Sequence, residues 1–215
     1  VQLKDGDQGN VISVEMSDEV RIERIMATES DSSDNKLNFY EPVMSTKEIP
    51  QTVSSFTNAD GGYVYIGILD DAKTLEEKLV GLKSEKEIIE EKEIKRKKLQ
   101  PGEKFTDQKF QDKYRGDIED KLEAHLSSTV RLGSLYEFEF PTLHGVTVLE
   151  ILVKKSSAPV FYSDPPRNKH SGFQVSLSGK NYPTRELDEF HYRNGSHKNH
   201  CDTFEEFLRY YEQNF

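Results

Sequence analysis

Two adjacent carboxylates, Asp70 and Asp71, end the stretch SSFTNADGGYVYIGILDD. The residues just before them form a short and almost uniformly apolar run, which predicts a buried central strand rather than a half-exposed one. Carboxylates at the end of such a strand are suited to ligate a metal ion, because the rigid strand fixes their positions. They are equally suited to be polar residues that lead a strand into a loop. The residues alone leave both interpretations open.

A glycine pair, Gly61-Gly62, precedes this strand and could bring a phosphate close to the backbone. No Lys-Ser or Lys-Thr follows it, so the pattern disfavours a P-loop and favours a turn with positive φ. Before the turn, three apolar residues share one face of a predicted helix: Ile49, Val53 and Phe56. The helix is expected to begin one or two residues after the start of the capping-box pattern STKE, with Pro50 in its first turn. Asn58 and Gly61 are expected to end it in the left-handed conformation.

The composition limits the classes of function. The chain has 215 residues and a formal net charge of -10, which argues against a generally basic nucleic-acid surface but permits a local basic groove. Charged residues make up 32% and apolar residues 34%, so part of the chain is expected to be a solvated insertion. No apolar run approaches the length of a membrane span, and no membrane partner is expected. The single cysteine, Cys201, excludes an internal disulfide framework and predicts an intracellular location, cytoplasmic or nuclear.

The order of patterns along the chain predicts one main domain with additions at both ends. Residues 1–30 are expected to form an N-terminal extension that packs on the core, and DEVRIERIMATE within it is compatible with a strand or a short helix. The main domain is predicted over 31–200, with a strand-like KLNFY near its start and a charged insertion at 83–113. A helix is predicted over YRGDIEDKLEAHLSS, and strands follow in the last third. Residues 201–215 predict a C-terminal helix.

The order of these motifs resembles that of the Schlafen-like AlbA domain family (AlbA_2), a family of nucleic-acid-binding domains. The motifs concerned are NADGG, GILDD, VGL, SSAPVFY and FHYRNGS, which span about residues 37–196 in interrupted form. The resemblance implies an α/β (α+β) fold, with a mixed β-sheet flanked by helices, and binding of RNA or DNA. In some members the domain is a ribonuclease that uses Mg²⁺ or Mn²⁺. Three carboxylates hold the ions there, which orient water and stabilise charge on the scissile phosphate.

This chain matches only part of the nuclease site that the resemblance implies. Asp70 and Asp71 stand where the family has a metal-binding aspartate after the Gly-Gly strand. Where the family has Glu-Phe-Lys, this chain has NFY at 38–40, so that a neutral amide replaces a carboxylate. Glu29 and Glu41 are the nearest candidates for the missing glutamates. The nuclease site is therefore expected to be degenerate.

Basic residues supply candidate contacts to nucleic-acid phosphates. Arg193, in YRNGS, corresponds to a family position on the binding side of the domain, and Lys198 is near it in sequence. The Asn-Gly pair after Arg193 is also typical of a hairpin turn, and Arg193 could instead pair with a neighbouring acid. Further basic candidates are Arg167, Lys169, Lys154 and Lys155. The aromatic residues fall mostly on predicted core positions, which does not indicate a platform for base stacking.

Three functional hypotheses follow. The first is a nucleic-acid-binding domain whose nuclease chemistry is weakened or lost. The second is an active metal-dependent nuclease that uses Glu29, Glu41 and Asp70 or Asp71. The third is an acidic protein-interaction or regulatory module, which the net charge and the charged insertion favour. Because members of the family pair two such lobes around RNA, a single lobe that binds nucleic acid similarly is expected to form a homodimer or to belong to a longer chain.

Overall fold

The computed structural model describes the helices, the strands and most of the loops of the chain. The described residues are 16–27, 32–36, 39, 45–96, 98, 105–128, 130–164, 173–177, 180–184, 188–194, 197–201 and 203–215. Four predicted site residues lie outside these ranges: Glu29, Glu41, Arg167 and Lys169.

The helices of the described ranges are α1 (Asp18–Met26), α2 (Ser45–Thr57), α3 (Leu75–Lys78), α4 (Lys83–Lys95), α5 (Asp107–His125) and α6 (Phe204–Asn214). None of them combines the length and the apolar composition that crossing a membrane requires. The strands are β1 (Ser33–Lys36), β2 (Gly62–Ile66), β3 (Leu126–Ser127), β4 (Tyr136–Glu139), β5 (Thr142–Leu143), β6 (Val146–Thr147), β7 (Leu149–Val153), β8 (Phe161–Ser163), β9 (Phe173–Leu177), β10 (Lys180–Thr184), β11 (Asp188–Glu189), β12 (His191–Asn194) and β13 (His197–His200).

A four-stranded mixed sheet, with the strand order β1-β2-β7-β4, forms the centre of the domain. β1 and β2 run parallel, whereas β7 pairs antiparallel with both β2 and β4. Helices flank this sheet, which confirms the predicted α+β class. β2 is a central strand, and its residues Val64, Tyr65 and Ile66 are completely buried. The predicted buried strand is therefore confirmed up to Ile66, whereas Leu69, at the end of YVYIGIL, lies beyond β2 and is exposed.

One face of the sheet packs against α2 and α5 and forms the main core. Ile49, Val53 and Phe56 of α2 are completely buried, as their helical spacing predicts. A second apolar ridge on α5 consists of Tyr114, Ile118 and Leu122. α5 begins at Asp107, several residues before the predicted start, and the Thr106 side chain caps its N-terminus. Burial of each large apolar side chain contributes about 1.5–3 kcal/mol, so this face supplies much of the driving force for folding.

The opposite face of the sheet is covered by α1, so DEVRIERIM, the first nine residues of DEVRIERIMATE, forms a helix rather than a strand. The Ser17 side chain accepts a hydrogen bond from a backbone N–H in the first turn, which stabilises the start of the helix. Ile25 is completely buried and packs with Tyr65 and Ile68 in a second, smaller core. α1 lies before the segment that carries the family motifs and completes the burial of the sheet.

A row of polar residues crosses the sheet beneath α1. Asn35, Tyr65, Glu150 and Glu139 lie opposite one another on the four neighbouring strands. Arg21 of α1 reaches into this row, where its Nε donates to Glu150 Oε2 at 3.1 Å and its Nη2 donates to Glu139. The side chains of Arg21 and Glu150 are exposed over only 9% and 3% of their areas. A buried ion pair thus holds α1 against the sheet.

The charged segment 83–113 contains α4 and the first turns of α5, and part of it packs into the domain. Ile89 of α4 is buried and joins the main core with Leu82 and Phe110. The outer face of α4 carries exposed charged residues. Of the described part of this segment, the outer face of α4 and the exposed residues of the first turns of α5 are therefore solvated, whereas Ile89 and Phe110 are buried in the core.

Two local predictions were wrong, and a third lies partly outside the described residues. α2 begins at Ser45, so Pro50 lies in its second turn and not in its first. Gly61 has a positive φ of 82°, as predicted, but Asn58 does not share that conformation. A strand was predicted at KLNFY; β1 covers Ser33–Lys36, Phe39 is in no strand, and Leu37, Asn38 and Tyr40 lie outside the described residues.

Arg21→Ala is expected to lower the free energy of unfolding by about 3–5 kcal/mol, because it leaves the Glu150 carboxylate buried without its cation. Urea denaturation followed by circular dichroism measures the change. The double variant Arg21→Ala/Glu150→Gln is the matched control, since removing the unpaired charge should recover part of the loss. An unchanged urea midpoint for Arg21→Ala would contradict the role of this ion pair.

Candidate functional site

A buried carboxylate, Asp34, connects β1, α2 and the β12–β13 hairpin. Its Oδ2 accepts hydrogen bonds from Arg193 Nη2 at 2.9 Å and from Thr52 Oγ1 at 3.1 Å. Lys36 Nζ lies 2.7 Å from its Oδ1. The side chains of Asp34 and Arg193 are exposed over only 4% and 3% of their areas. The charges are therefore paired largely out of contact with water, and the hairpin is joined to the central sheet through them.

Arg193 was predicted either to contact phosphate or to pair with a neighbouring acid, and in the structure it pairs with Asp34. Its guanidinium also lies over the ring of Phe56, 4.1 Å from the ring centroid, in a cation–π arrangement. A hairpin is present at the predicted place, because β12 ends at Asn194 and pairs antiparallel with β13, which begins at His197. A direct contact between Arg193 and a phosphate stays a prediction.

Asn58 joins the C-terminal end of α2 to the same layer. Its Nδ2 donates to the backbone oxygens of Val160 and His191, both at 2.7 Å, and its Oδ1 accepts from the Val160 N–H at 2.8 Å. The Tyr210 hydroxyl of α6 donates to the backbone oxygen of Asn58 at 2.6 Å. An amide can donate and accept at once, which is what this buried position requires. The NADGG pattern predicted a turn here and gave no sign of this network.

Lys198 carries a positive charge at the surface, directly opposite Arg193 in the hairpin. Its Nζ donates to Gln51 Oε1 of α2 at 3.3 Å. Desolvation of the ammonium against the protein, followed by repulsion from Lys36, lowers the pKa of Lys198, whereas two nearby carboxylates act in the opposite direction. A bound anion would offset the repulsion between the two lysines. This surface is therefore chemically suited to a phosphate group.

A cavity of about 720 Å³ opens at the start of β2 and the end of β7. Lys154, Lys155 and Arg193 contribute to its wall, together with the two glycines of the NADGG turn. Lys154 forms an ion pair with Glu137, and Lys155 Nζ lies 3.1 Å from Asp60 Oδ1. Both pairs are exposed, and pairs of this kind contribute at most about 1 kcal/mol. A phosphate could therefore replace either carboxylate at little cost.

The adjacent aspartates Asp70 and Asp71 lie in the turn that follows β2. Asp70 Oδ1 accepts a hydrogen bond from Asn35 Nδ2 at 3.1 Å. Lys78 Nζ lies 3.8 Å from the same oxygen and donates to the backbone oxygen of Asp70 at 2.6 Å. Asp71 is exposed. An ammonium this close to Asp70 opposes the binding of a divalent cation, because the two positive charges repel each other.

Asp34 and Asp70 lie on opposite faces of β1. Asn35 contacts Asp70, and Asp34 precedes Asn35 in the strand and therefore points to the other face. Among the described residues, no three His, Cys, Asp or Glu side chains are grouped so that they could hold a metal ion. Because Glu29 and Glu41 lie outside the described residues, a metal site that combines them with Asp70 or Asp71 stays a prediction.

Arg193→Ala is expected to lower the free energy of unfolding by about 3–5 kcal/mol, because Asp34 loses its buried partner. Lys198→Ala is the matched control on the opposite strand and should change stability by less than about 0.5 kcal/mol, as is usual for surface positions. Urea denaturation of both variants makes the comparison. Equal stability of the two variants would contradict the structural role of Arg193.

The family comparison agrees with this fold and with the motifs in the sequence. The chain matches the Schlafen, AlbA_2 family over residues 29–202, which include the central sheet, the hairpin and the adjacent aspartates. α1 lies before the matched region, and α6 lies after it. No curated protein shows significant sequence similarity to the chain. The match covers well over half of the chain, and the chain therefore belongs to the Schlafen, AlbA_2 family.

Proposed function

We propose that the chain binds RNA or DNA through the surface around the β12–β13 hairpin, and that its nuclease site is degenerate. The observation that supports this most is the convergence of basic residues from distant segments. Lys154, Lys155 and Arg193 line one cavity, and Lys198 is the cross-strand neighbour of Arg193. Membership in a family of nucleic-acid-binding domains supports the same proposal. Cationic side chains grouped in this way bind nucleic acid by releasing the counterions of its phosphates.

The local charge balance also supports the proposal. Among the described side chains around the hairpin and the start of α2, four are basic and three are acidic: Lys36, Lys47, Lys198 and Arg193 against Asp34, Glu48 and Asp164. The described part of this region therefore carries one more positive than negative charge, although the whole chain has a formal net charge of -10. Asp164 is followed in the sequence by the segment that contains the predicted contacts Arg167 and Lys169. A locally basic region on an overall acidic protein would attract nucleic acid to that region.

Binding through phosphates also bears on which nucleic acid is bound and on whether two lobes pair. Contacts to phosphates carry little sequence information, so the proposal covers RNA and DNA alike. Pairing of two lobes would double the number of phosphate contacts, either in a homodimer or within a longer chain. Binding to cellular nucleic acid also corresponds to the predicted cytoplasmic or nuclear location.

The proposed degeneracy of the nuclease site rests on Asp70 and on the altered family motif. Lys78 Nζ lies 3.8 Å from Asp70 Oδ1, and Asn38 stands where the family has a glutamate. The ammonium opposes Mg²⁺ or Mn²⁺ at Asp70, and a neutral amide is a weaker ligand for these ions than a carboxylate. The active nuclease and the acidic protein-interaction module are the competing hypotheses, and the two experiments below distinguish them.

Affinity for a fluorescently labelled single-stranded oligonucleotide should fall steeply between about 50 and 200 mM salt. Lys198→Ala should weaken binding and reduce the slope of log K against log salt by about 0.7, the value for one phosphate contact on a single strand. Fluorescence anisotropy measures both quantities. Lys95→Ala removes an exposed lysine that pairs with Glu91 on α4 and should leave both unchanged. Absence of binding at any salt would contradict the proposal and favour a protein partner.

Labelled RNA and DNA should remain intact when the protein is incubated with them in Mn²⁺ or Mg²⁺, because Lys78 opposes metal binding at Asp70. Gel electrophoresis of the products, with EDTA as the matched control, tests this expectation. Cleavage in Mn²⁺ that is absent in EDTA and in Asp70→Ala would contradict the degeneracy. It would support the active nuclease instead.

A further inference from the structure

A smaller cavity of about 360 Å³ lies between β12 and α6. Asp60, Lys155 and Asn194 belong to the walls of both this cavity and the larger one. Its volume is near the lower end of the range for small-molecule sites. α6 follows the region of the family match, so an element outside that match completes the cavity.

Two half-buried tyrosines form one wall of this cavity. The rings of Tyr192 and Tyr210 lie 4.5 Å apart between their centroids. Phe190 supports both from behind, with centroid distances of 6.4 Å to Tyr192 and 5.4 Å to Tyr210. The hydrogen bond from the Tyr210 hydroxyl to the backbone oxygen of Asn58 fixes the second ring. The aromatic wall is therefore held in place before any ligand binds.

The phenol groups of this wall are neutral at physiological pH. Burial, and then the negative charge of Asp60, raises the pKa of Tyr210 to about 12. Burial likewise raises the pKa of Tyr192. The tyrosines thus add no negative charge that would repel a nucleic acid.

The rim of the cavity carries side chains that can read the edge of a planar, polar ligand. Asn194 and Gln213 are exposed amides, and each offers a donor and an acceptor. Asn214 contributes a third amide, whose Nδ2 already donates to the backbone oxygen of Tyr210 at 2.8 Å. Lys155 supplies a positive charge at the border with the larger cavity. Amides of this kind match the donors and acceptors of base edges.

We propose that this cavity receives one unpaired base of a single-stranded nucleic acid. The base stacks on Tyr192, its edge faces Asn194 and Gln213, and Lys155 binds an adjacent phosphate. This inference rests on the proposed nucleic-acid binding and specifies that the bound nucleic acid is single-stranded. A base in a duplex would have to leave its stack first, which disfavours duplex binding at this cavity.

The test compares two labelled strands of equal length, an oligothymidine and an abasic deoxyribose-phosphate strand that has the same phosphates but no bases. The wild-type protein should bind the oligothymidine more tightly. Tyr192→Leu should lower that affinity about fivefold or more and leave the affinity for the abasic strand unchanged, because a stacked base contributes about 1–3 kcal/mol. Tyr192→Phe keeps the ring and should retain the preference.

Two further variants guard against a loss of folding as the cause. Tyr211→Leu changes the neighbouring tyrosine of α6, which packs against Phe215 and lies outside the cavity wall, and it should bind as the wild type does. Gln213→Ala alters an exposed rim residue and should weaken binding to the oligothymidine only.

The outcomes separate this inference from the function on which it rests. Equal binding of the two strands by the wild type, unchanged in Tyr192→Leu, would overturn the base site and leave binding through phosphates in place. Failure to bind either strand would overturn nucleic-acid binding itself, and the base site with it. A preference for the oligothymidine that Tyr192→Leu abolishes would support both.

Discussion

The buried ion pair between Asp34 and Arg193 is the interaction on which the candidate site depends. A carboxylate removed from water is costly unless cations and hydrogen bonds surround it, and Asp34 has Arg193, Lys36 and Thr52. These partners come from β12, β1 and α2, so a single charge requires all three elements to meet. The exposed Lys198 is carried to its position by the same hairpin. The buried pair between Asp34 and Arg193 orients the hairpin, and the exposed Lys198 is the residue proposed to bind a phosphate.

Asn58 makes a comparable connection at the other end of α2. Its amide ties the helix to Val160 and His191, and its backbone oxygen receives the Tyr210 hydroxyl. The hairpin and α6 are therefore attached to the end of the same helix by hydrogen bonds, of which those of the Asn58 amide are buried and that of Tyr210 is partly buried. Both proposed contacts, the phosphate at Lys198 and the base at Tyr192, lie on this attached layer. A shift of α2 would move them together.

Local patterns in the sequence predicted the elements with a clear apolar pattern. β2 has a continuous apolar run that is buried in both cores, and α2 and α5 have apolar residues at helical spacing on the face towards the main core. β1 was not predicted at Ser33–Lys36 because its buried residues are polar, and the buried partner of Asp34, Arg193, lies far away in the sequence. The aromatic residue in NFY favoured the later position, yet the acid-x-lysine spacing of the family motif also occurs at Asp34 and Lys36. This acid-x-lysine spacing on alternate strand positions was the signal in the sequence that could have located β1 correctly.

Hydrogen–deuterium exchange with and without a single-stranded oligonucleotide tests the central claim most directly, because it locates the bound surface on the intact protein. The account predicts slower exchange in the β12–β13 hairpin, in the first turns of α2 and in α6, with little change in α4. Protection confined to α4 and the start of α5 would contradict it, since binding would then involve the charged segment 83–113 instead of the surface organised by Asp34.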